Sequence, residues 1–168
     1  YSITLDGNTG NITRLQKNGT DVNLADSGGL NQYTYLPGDS AEKVEYSGPA
    51  NIRIKEKGPL VVSLLVTSSA PGARSLSREI RLAAGIDRVA VINTLDKTAI
   101  GTKESVHFEF PFHIPGAQVR YSIPWGSITA EADQLPHTNR NWYTQQRWVD
   151  VSNKNVGVTW SSPDAPLF

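Results

Sequence analysis

Between residues 136 and 153 the chain reads PHTNRNWYTQQRWVDVSN, a polar, turn-rich run that sets Trp142, Tyr143 and Trp148 beside Arg140, Arg147 and several amide side chains. Aromatic rings stack on the apolar face of a sugar, and amides and guanidinium groups bond its hydroxyls, so this mixture suits a carbohydrate-handling surface. Arg140 and Trp142 are the candidate contacts it supplies. The same run has a plainer reading, in which Trp148 is core and Trp142 only anchors a long loop. Asp150, next in the run, reads as a strand-end ion pair or turn acceptor before it reads as an acid in a cleft.

Other reactive side chains are sparse. The three histidines, His107, His113 and His137, form no His-x-Asp pair and no cluster at ligand spacing. Zinc needs three or four convergent protein ligands, so no metal site of the chain's own is expected. No Gly-x-Ser-x-Gly elbow occurs, which leaves a serine hydrolase unsupported. His107 and Glu109 share one face of a strand and are the nearest thing to an acid and base pair. On the face opposite Phe108 and Phe110 they are more simply solvent-side residues.

A chain of 168 residues is enough for one domain, residues 1–168, with one core. Sixteen basic and sixteen acidic residues cancel, which gives no electrostatic support to a nucleic acid or an acidic membrane surface as partner. There is no cysteine, a composition compatible with an oxidising compartment. There is no methionine either, and Tyr1 enters directly in a strand-like run, so the chain is expected to be a piece of a longer polypeptide.

What must position these residues is strand after strand. Residues 1–6 and 11–16 flank Gly7-Asn8-Thr9-Gly10 and predict a hairpin. Ile52 and Ile54 alternate with Arg53 and Lys55. The run Leu60, Val61, Val62, Ser63, Leu64, Leu65, Val66 is apolar on both parities and predicts a strand covered on both faces, ending at Ala70-Pro71-Gly72. Residues 75–82 and 88–96 pair about Gly85-Ile86-Asp87. Val106, Phe108, Phe110 and Phe112 share a face, Val119, Tyr121 and Ile123 repeat the alternation, and Val156, Val158 and Trp160 close it. Only residues 82–84 and 129–134 could hold a short helical turn. Short strands at this spacing predict an all-β, antiparallel two-sheet sandwich.

Several motifs carry a family resemblance. The segment Gly29-Leu30-Asn31-Gln32-Tyr33-Thr34-Tyr35-Leu36-Pro37-Gly38, then Glu56-Lys57-Gly58-Pro59-Leu60-Val61 and the hairpin at Gly85, resembles the β-sandwich region that follows the catalytic domain in the glycoside hydrolase family 38 α-mannosidases. The opening Asp6-Gly7-Asn8-Thr9-Gly10-Asn11-Ile12 is similar to the start of that sandwich. Gln146-Arg147-Trp148-Val149-Asp150-Val151-Ser152-Asn153, Gly157-Val158-Thr159-Trp160 and Pro163-Asp164-Ala165-Pro166 resemble later strands of bacterial members. The likeness covers nearly the whole chain.

The resemblance implies a galactose-mutarotase-like supersandwich, of which this chain would supply part. It places zinc and the paired carboxylates of a retaining hydrolase in an upstream catalytic domain of the same polypeptide, the partner it implies, and no cofactor in this chain. It offers Tyr33 as an aromatic that leans toward the sugar in the neighbouring domain, with Asn31 and Tyr35 beside it. The alternative for Tyr33 and Tyr35, two apart on one face, is a stacked pair inside the sandwich. The implied role is a non-catalytic accessory domain of an α-mannosidase that contacts an α-mannoside, in a parent exported to the periplasm or beyond. Two other readings stand beside it: a free-standing carbohydrate-binding module built on Trp142, Tyr143 and Arg140, and an aldose epimerase, which shares the supersandwich and would use His107 and Glu109.

Overall fold

The computed structural model describes residues 1–38 and 43–168. Among them there are strands and turns and no helix. The chain divides into two compact units, Tyr1–Pro111 and Phe112–Phe168.

The first unit holds β1 (Ser2–Leu5), β2 (Ile12–Gln16), β3 (Gln32–Pro37), β4 (Glu45–Tyr46), β5 (Asn51–Lys57), β6 (Val61–Ser68), β7 (Ala73–Ala83), β8 (Val89–Lys97) and β9 (Glu104–Glu109). β1 and β2 make the expected hairpin, β4-β3-β9 a three-stranded sheet, and β5-β6-β7-β8 a four-stranded antiparallel meander. The two larger sheets pack face to face. Tyr33 and Tyr35 of β3, with Val106 and Phe108 of β9, meet Ala70, Ala73, Leu76 and Leu95. In register Tyr33 faces Phe108, and their rings meet edge to face with centroids 5.6 Å apart. The Tyr33 hydroxyl donates to the Pro71 carbonyl at 2.5 Å, so it enters the core with its polar end satisfied. Gly72, at φ +73°, presses its backbone on the Tyr35 ring, where an added Cβ would come within 2.5 Å of Cε2.

At the centre of this unit lies a cation. Arg78 on β7 has no exposed surface. Its Nη1 donates to Asn11 Oδ1 at 3.0 Å and to the Asn31 carbonyl at 2.9 Å, and its Nη2 donates to the Thr9 carbonyl. Burial lowers its pKa, yet a guanidinium starts high enough to stay charged. Neutral oxygens that hold a buried charge must be placed in advance, and the Asp6–Ile12 turn does this. Asp6 Oδ1 accepts from the amides of Asn8 and Thr9 at 3.0 and 2.7 Å, and from the Thr9 hydroxyl at 3.0 Å. Gly10 has φ +71°, and a Cβ there would stand 2.9 Å from Nη2 and 2.4 Å from Val66 Cγ1. The turn motif is therefore a guanidinium cradle as well as a hairpin loop.

The faces of the meander differ. Val66, Leu76, Arg78 and Ile80 lie on the inner face and are buried. The outer face carries ion pairs, Lys55 with Glu79, Arg81 with Glu56 and Arg74 with Asp96. The expectation that β6 is covered on both faces holds only for part of it: Val66 is buried, but Val62, on the same inner face, is 45% exposed. Val62 lies at the far end of the meander, near the exposed Leu60 and Ile86.

The second unit is a four-stranded antiparallel sheet in the order β11-β10-β12-β13, built from β10 (Gln118–Ile123), β11 (Gly126–Thr129), β12 (Val149–Ser152) and β13 (Gly157–Trp160). The helical turn expected over 129–134 is instead the end of β11 and a turn, in which Asp133 Oδ2 accepts from the Thr129 amide at 2.7 Å. The other candidate, 82–84, lies at the end of β7 and the turn after it. At 82–83 pairing with Val61, Val62 and Val89 holds the chain in β7, whereas the 129–134 turn is closed by the Asp133 amide donating to the Thr129 carbonyl at 3.2 Å.

Replacing Arg78 by Met strands the Asn11, Asn31 and Thr9 acceptors in the core. Denaturant unfolding should show a loss of about 3 kcal/mol or more. Arg78→Lys, too short and without the fork, should recover less than half of it. The acids define a pH response. Backbone bonds from Thr9 hold Asp6 below the ordinary carboxylate range, as bonds from Lys55, Lys17, Arg74 and Lys97 do for Glu79, Asp87, Asp96 and Glu104. A lowered folded-state pKa stabilises the fold above the unfolded-state value and is lost as pH falls through the folded one. The melting temperature should thus be flat above about pH 5 and drop below about pH 4.

Candidate functional site

The site residues offered by the first unit lie inside it. Asn31 follows Gly29, which has φ +76° and no room for a Cβ beside Asn11, and itself adopts φ 62°. That left-handed step turns its side chain to Asn93 on β8. The two amides bond reciprocally, Asn31 Nδ2 to Asn93 Oδ1 at 3.0 Å and Asn93 Nδ2 to Asn31 Oδ1 at 2.7 Å. Asn31 and Tyr33 are both 0% exposed. The tyrosine pair thus takes the packed alternative, and in this structure neither Asn31 nor Tyr33 offers surface to a ligand. Burial raises the Tyr33 pKa, which keeps its phenol a donor.

The acid and base candidates of β9 have structural neighbours. The Thr34 hydroxyl donates to Glu109 Oε1 at 2.9 Å, and a ring nitrogen of His107 lies 3.0 Å from Ser105 Oγ. Among the described residues no three His, Asp or Glu side chains gather as metal ligands would.

In the second unit, Tyr121 of β10 anchors a ring cluster. Tyr143 and Phe168 lie 5.6 and 5.2 Å from it between centroids, and 5.5 Å from each other. Tyr143 and Phe168 exchange backbone bonds at 3.0 Å in both directions, Thr144 bridges Leu167, and the Gln145 amide donates to the Pro166 carbonyl at 2.9 Å. Residues 166–168 are thus held against the middle of the 136–153 run by an isolated antiparallel bridge and its flanking backbone bonds. Tyr143, expected on the loop surface with Trp142, is accordingly turned inward. Trp142 stands 51% exposed and Arg140 is exposed, as the surface reading requires. Trp148 and Trp160 are half-buried rather than core. Asp150, expected as a strand-end ion pair or turn acceptor, instead lies within β12 and accepts from the Ser152 and Thr159 hydroxyls.

One aromatic escaped the sequence reading. Trp125 is 105% exposed, at the tip of the two-residue turn between β10 and β11. Its φ is 67°, and with Pro124 before it this is the pattern of a type II turn, whose second position favours glycine or asparagine. A bulky residue there is disfavoured by about 1–2 kcal/mol, and this one recovers nothing by burial. The signal was available: Pro-Trp-Gly directly follows the alternating run of Val119, Tyr121 and Ile123. Elsewhere in this unit an open polar groove of about 650 Å³ is lined by Gln118, Arg120, Asn153 and Lys154 among others.

Trp142→Ala should change stability by less than about 1 kcal/mol, whereas Tyr143→Ala, which breaks the ring cluster, should lower it by about 3 kcal/mol. Denaturant melts of the two variants make the comparison. Equal large losses would place both rings in the core.

The sequence matches the family described as glycosyl hydrolases family 38 C-terminal domain over residues 1–162. No curated protein matches the chain.

Proposed function

Since the chain belongs to the C-terminal domain family of the family 38 glycosyl hydrolases, we propose that it is the non-catalytic β-sandwich supporting the catalytic domain of an α-mannosidase. The family match over residues 1–162 carries this reading, because that domain is the C-terminal part of a larger hydrolase polypeptide. The partner is accordingly a catalytic domain on the same chain. The zinc implied by the resemblance, and the carboxylate pair of a retaining mechanism, are assigned to that domain. Polarising the sugar is the chemistry such a zinc supplies.

The side chains of this chain fit a supporting role. A retaining glycosidase needs two carboxyl groups about 5–5.5 Å apart across a scissile bond. Here Glu79 is tied to Lys55, Asp87 to Lys17 and Tyr1, Asp96 to Arg74, and Glu104 to Lys97, while Asp6 shapes the turn. Asn31 and Tyr33 serve the scaffold, and α-mannoside contact falls to Arg140 and Trp142, which are exposed. The alternative, a free-standing carbohydrate-binding module, shares those two contacts and differs in what the chain does alone.

The test is hydrolysis of 4-nitrophenyl α-mannoside by the parent polypeptide and by the isolated 168-residue chain. The parent should release nitrophenol, lose that activity to a chelator and regain it with zinc, and the isolated chain should release none. Release by the isolated chain would overturn the accessory reading.

A further inference from the structure

At one end of the sheet in the second unit, three sequence-distant features come together. The β10 to β11 turn presents Trp125, fully exposed, on a left-handed backbone. Alongside it, the Gln146 amide donates to the Ser122 carbonyl at 2.9 Å, and the Arg147 amide donates to Ser122 Oγ at 2.7 Å. The Ser161 hydroxyl holds the Arg147 carbonyl from the other side at 2.6 Å. Ser122 is the residue before Ile123, the last of β10, and Trp125 sits in the turn that follows directly. Gln146 and Arg147 are both exposed, on backbone fixed by those bonds.

We propose that Trp125, with Gln146 and Arg147, forms a glycan-binding platform on this sheet end, in which the indole stacks on one sugar ring and the amide and guanidinium bond the hydroxyls of the next. The assignment of the glycan as an α-mannan rests on the α-mannosidase reading. The platform itself rests on two observations that the fold does not explain. A ring that buries nothing occupies a turn position suited to glycine, and local strain kept without a packing return is characteristic of a functional position. Its surroundings decide the ligand class. A specific protein interface covers roughly 800 Å² per partner, and one indole supplies only about a third of that. The other exposed large apolar residues of this unit, Leu135, Trp142 and Leu167, lie outside the β10 to β11 hairpin. A single exposed ring, at a sheet end where the exposed Gln146 and Arg147 are also anchored, matches the size and the mixed polarity of a sugar.

Affinity electrophoresis of the parent polypeptide in gels containing soluble branched α-mannan reads the platform directly. The unsubstituted protein should be retarded. Trp125→Gly should weaken the apparent Kd about tenfold, the size of a lost aromatic stack. Its melting temperature should be unchanged or raised, since glycine suits the positive φ. A merely structural tryptophan would give the opposite, a lowered melting temperature with retardation intact. Arg147→Ala should also weaken retardation, and Leu135→Ala, which removes an exposed apolar residue elsewhere in the unit, should not. No retardation of the unsubstituted protein, or equal retardation of the Trp125→Gly protein, overturns the proposal. Hydrolysis of 4-nitrophenyl α-mannoside by the unsubstituted parent, measured in parallel, reports on the mannosidase reading separately. A parent that hydrolyses the small substrate yet ignores mannan refutes the platform alone.

Discussion

A charged guanidinium with no contact with water is the constraint on which the first unit depends. Removing a cation from water is disfavoured by several kcal/mol, and neutral acceptors can offset that only if they are fixed in place before the charge arrives. Arg78 obtains them from two loops far away in sequence, the turn before β2 and the step before β3. Each loop conformation then follows from the need. Gly10 leaves space for Nη2, Gly29 brings its loop against Asn11 and Ile12, and Asn31 turns left-handed so that its carbonyl faces the guanidinium while its amide locks to Asn93. Ile12 and Leu30 exchange backbone bonds at 2.9 and 2.8 Å, which joins the two loops directly. The tyrosine core is continuous with this network through β3, so the apolar packing and the polar cage hold the same strands.

This explains which parts of the structure were legible in the sequence. Alternation located β5, β9, β10 and β13, because a half-buried strand writes its register as period two. It read β6 as doubly covered because apolar residues on both parities look alike whether or not a second layer covers them; Val62 shows that the cover stops. β11 was missed, being four residues closed by turns with no alternating apolar pair to mark it, whereas β12 was legible only through the family resemblance of the 146–153 segment. The role of the DGNTGN turn was hidden as well. Its glycines announced a hairpin, but nothing local announces an arginine arriving from β7.

The candidate site divides in the same way. Tyr33 and Asn31 were singled out by resemblance, and residue type alone could not separate a sugar contact from a buried pair; the separation depends on Pro71 and Asn93, which are distant in sequence. Tyr143 was placed outside because its partner in the tail, Phe168, leaves no mark on the local pattern. The exposure of Trp142 and Arg140 was legible because a polar loop rich in turn residues seldom packs. In family terms the chain is the C-terminal β domain of a glycosyl hydrolase, and its chemistry as proposed is that of a scaffold whose exposed rings meet a glycan.

The account stands or falls on the Arg78 cage being part of the cooperative core rather than a loop that happens to lie over it. Loop amides ordinarily exchange with solvent through local opening, at free energies well below that of global unfolding. Native-state hydrogen exchange of the Ile12, Leu30 and Asn31 amides decides between the two. The account predicts that they exchange only through global unfolding, with the same free energy and denaturant dependence as the amides of Val66 and Ile80 in β6 and β7. Exchange by a low-energy local opening, with those two strands still protected, would contradict it.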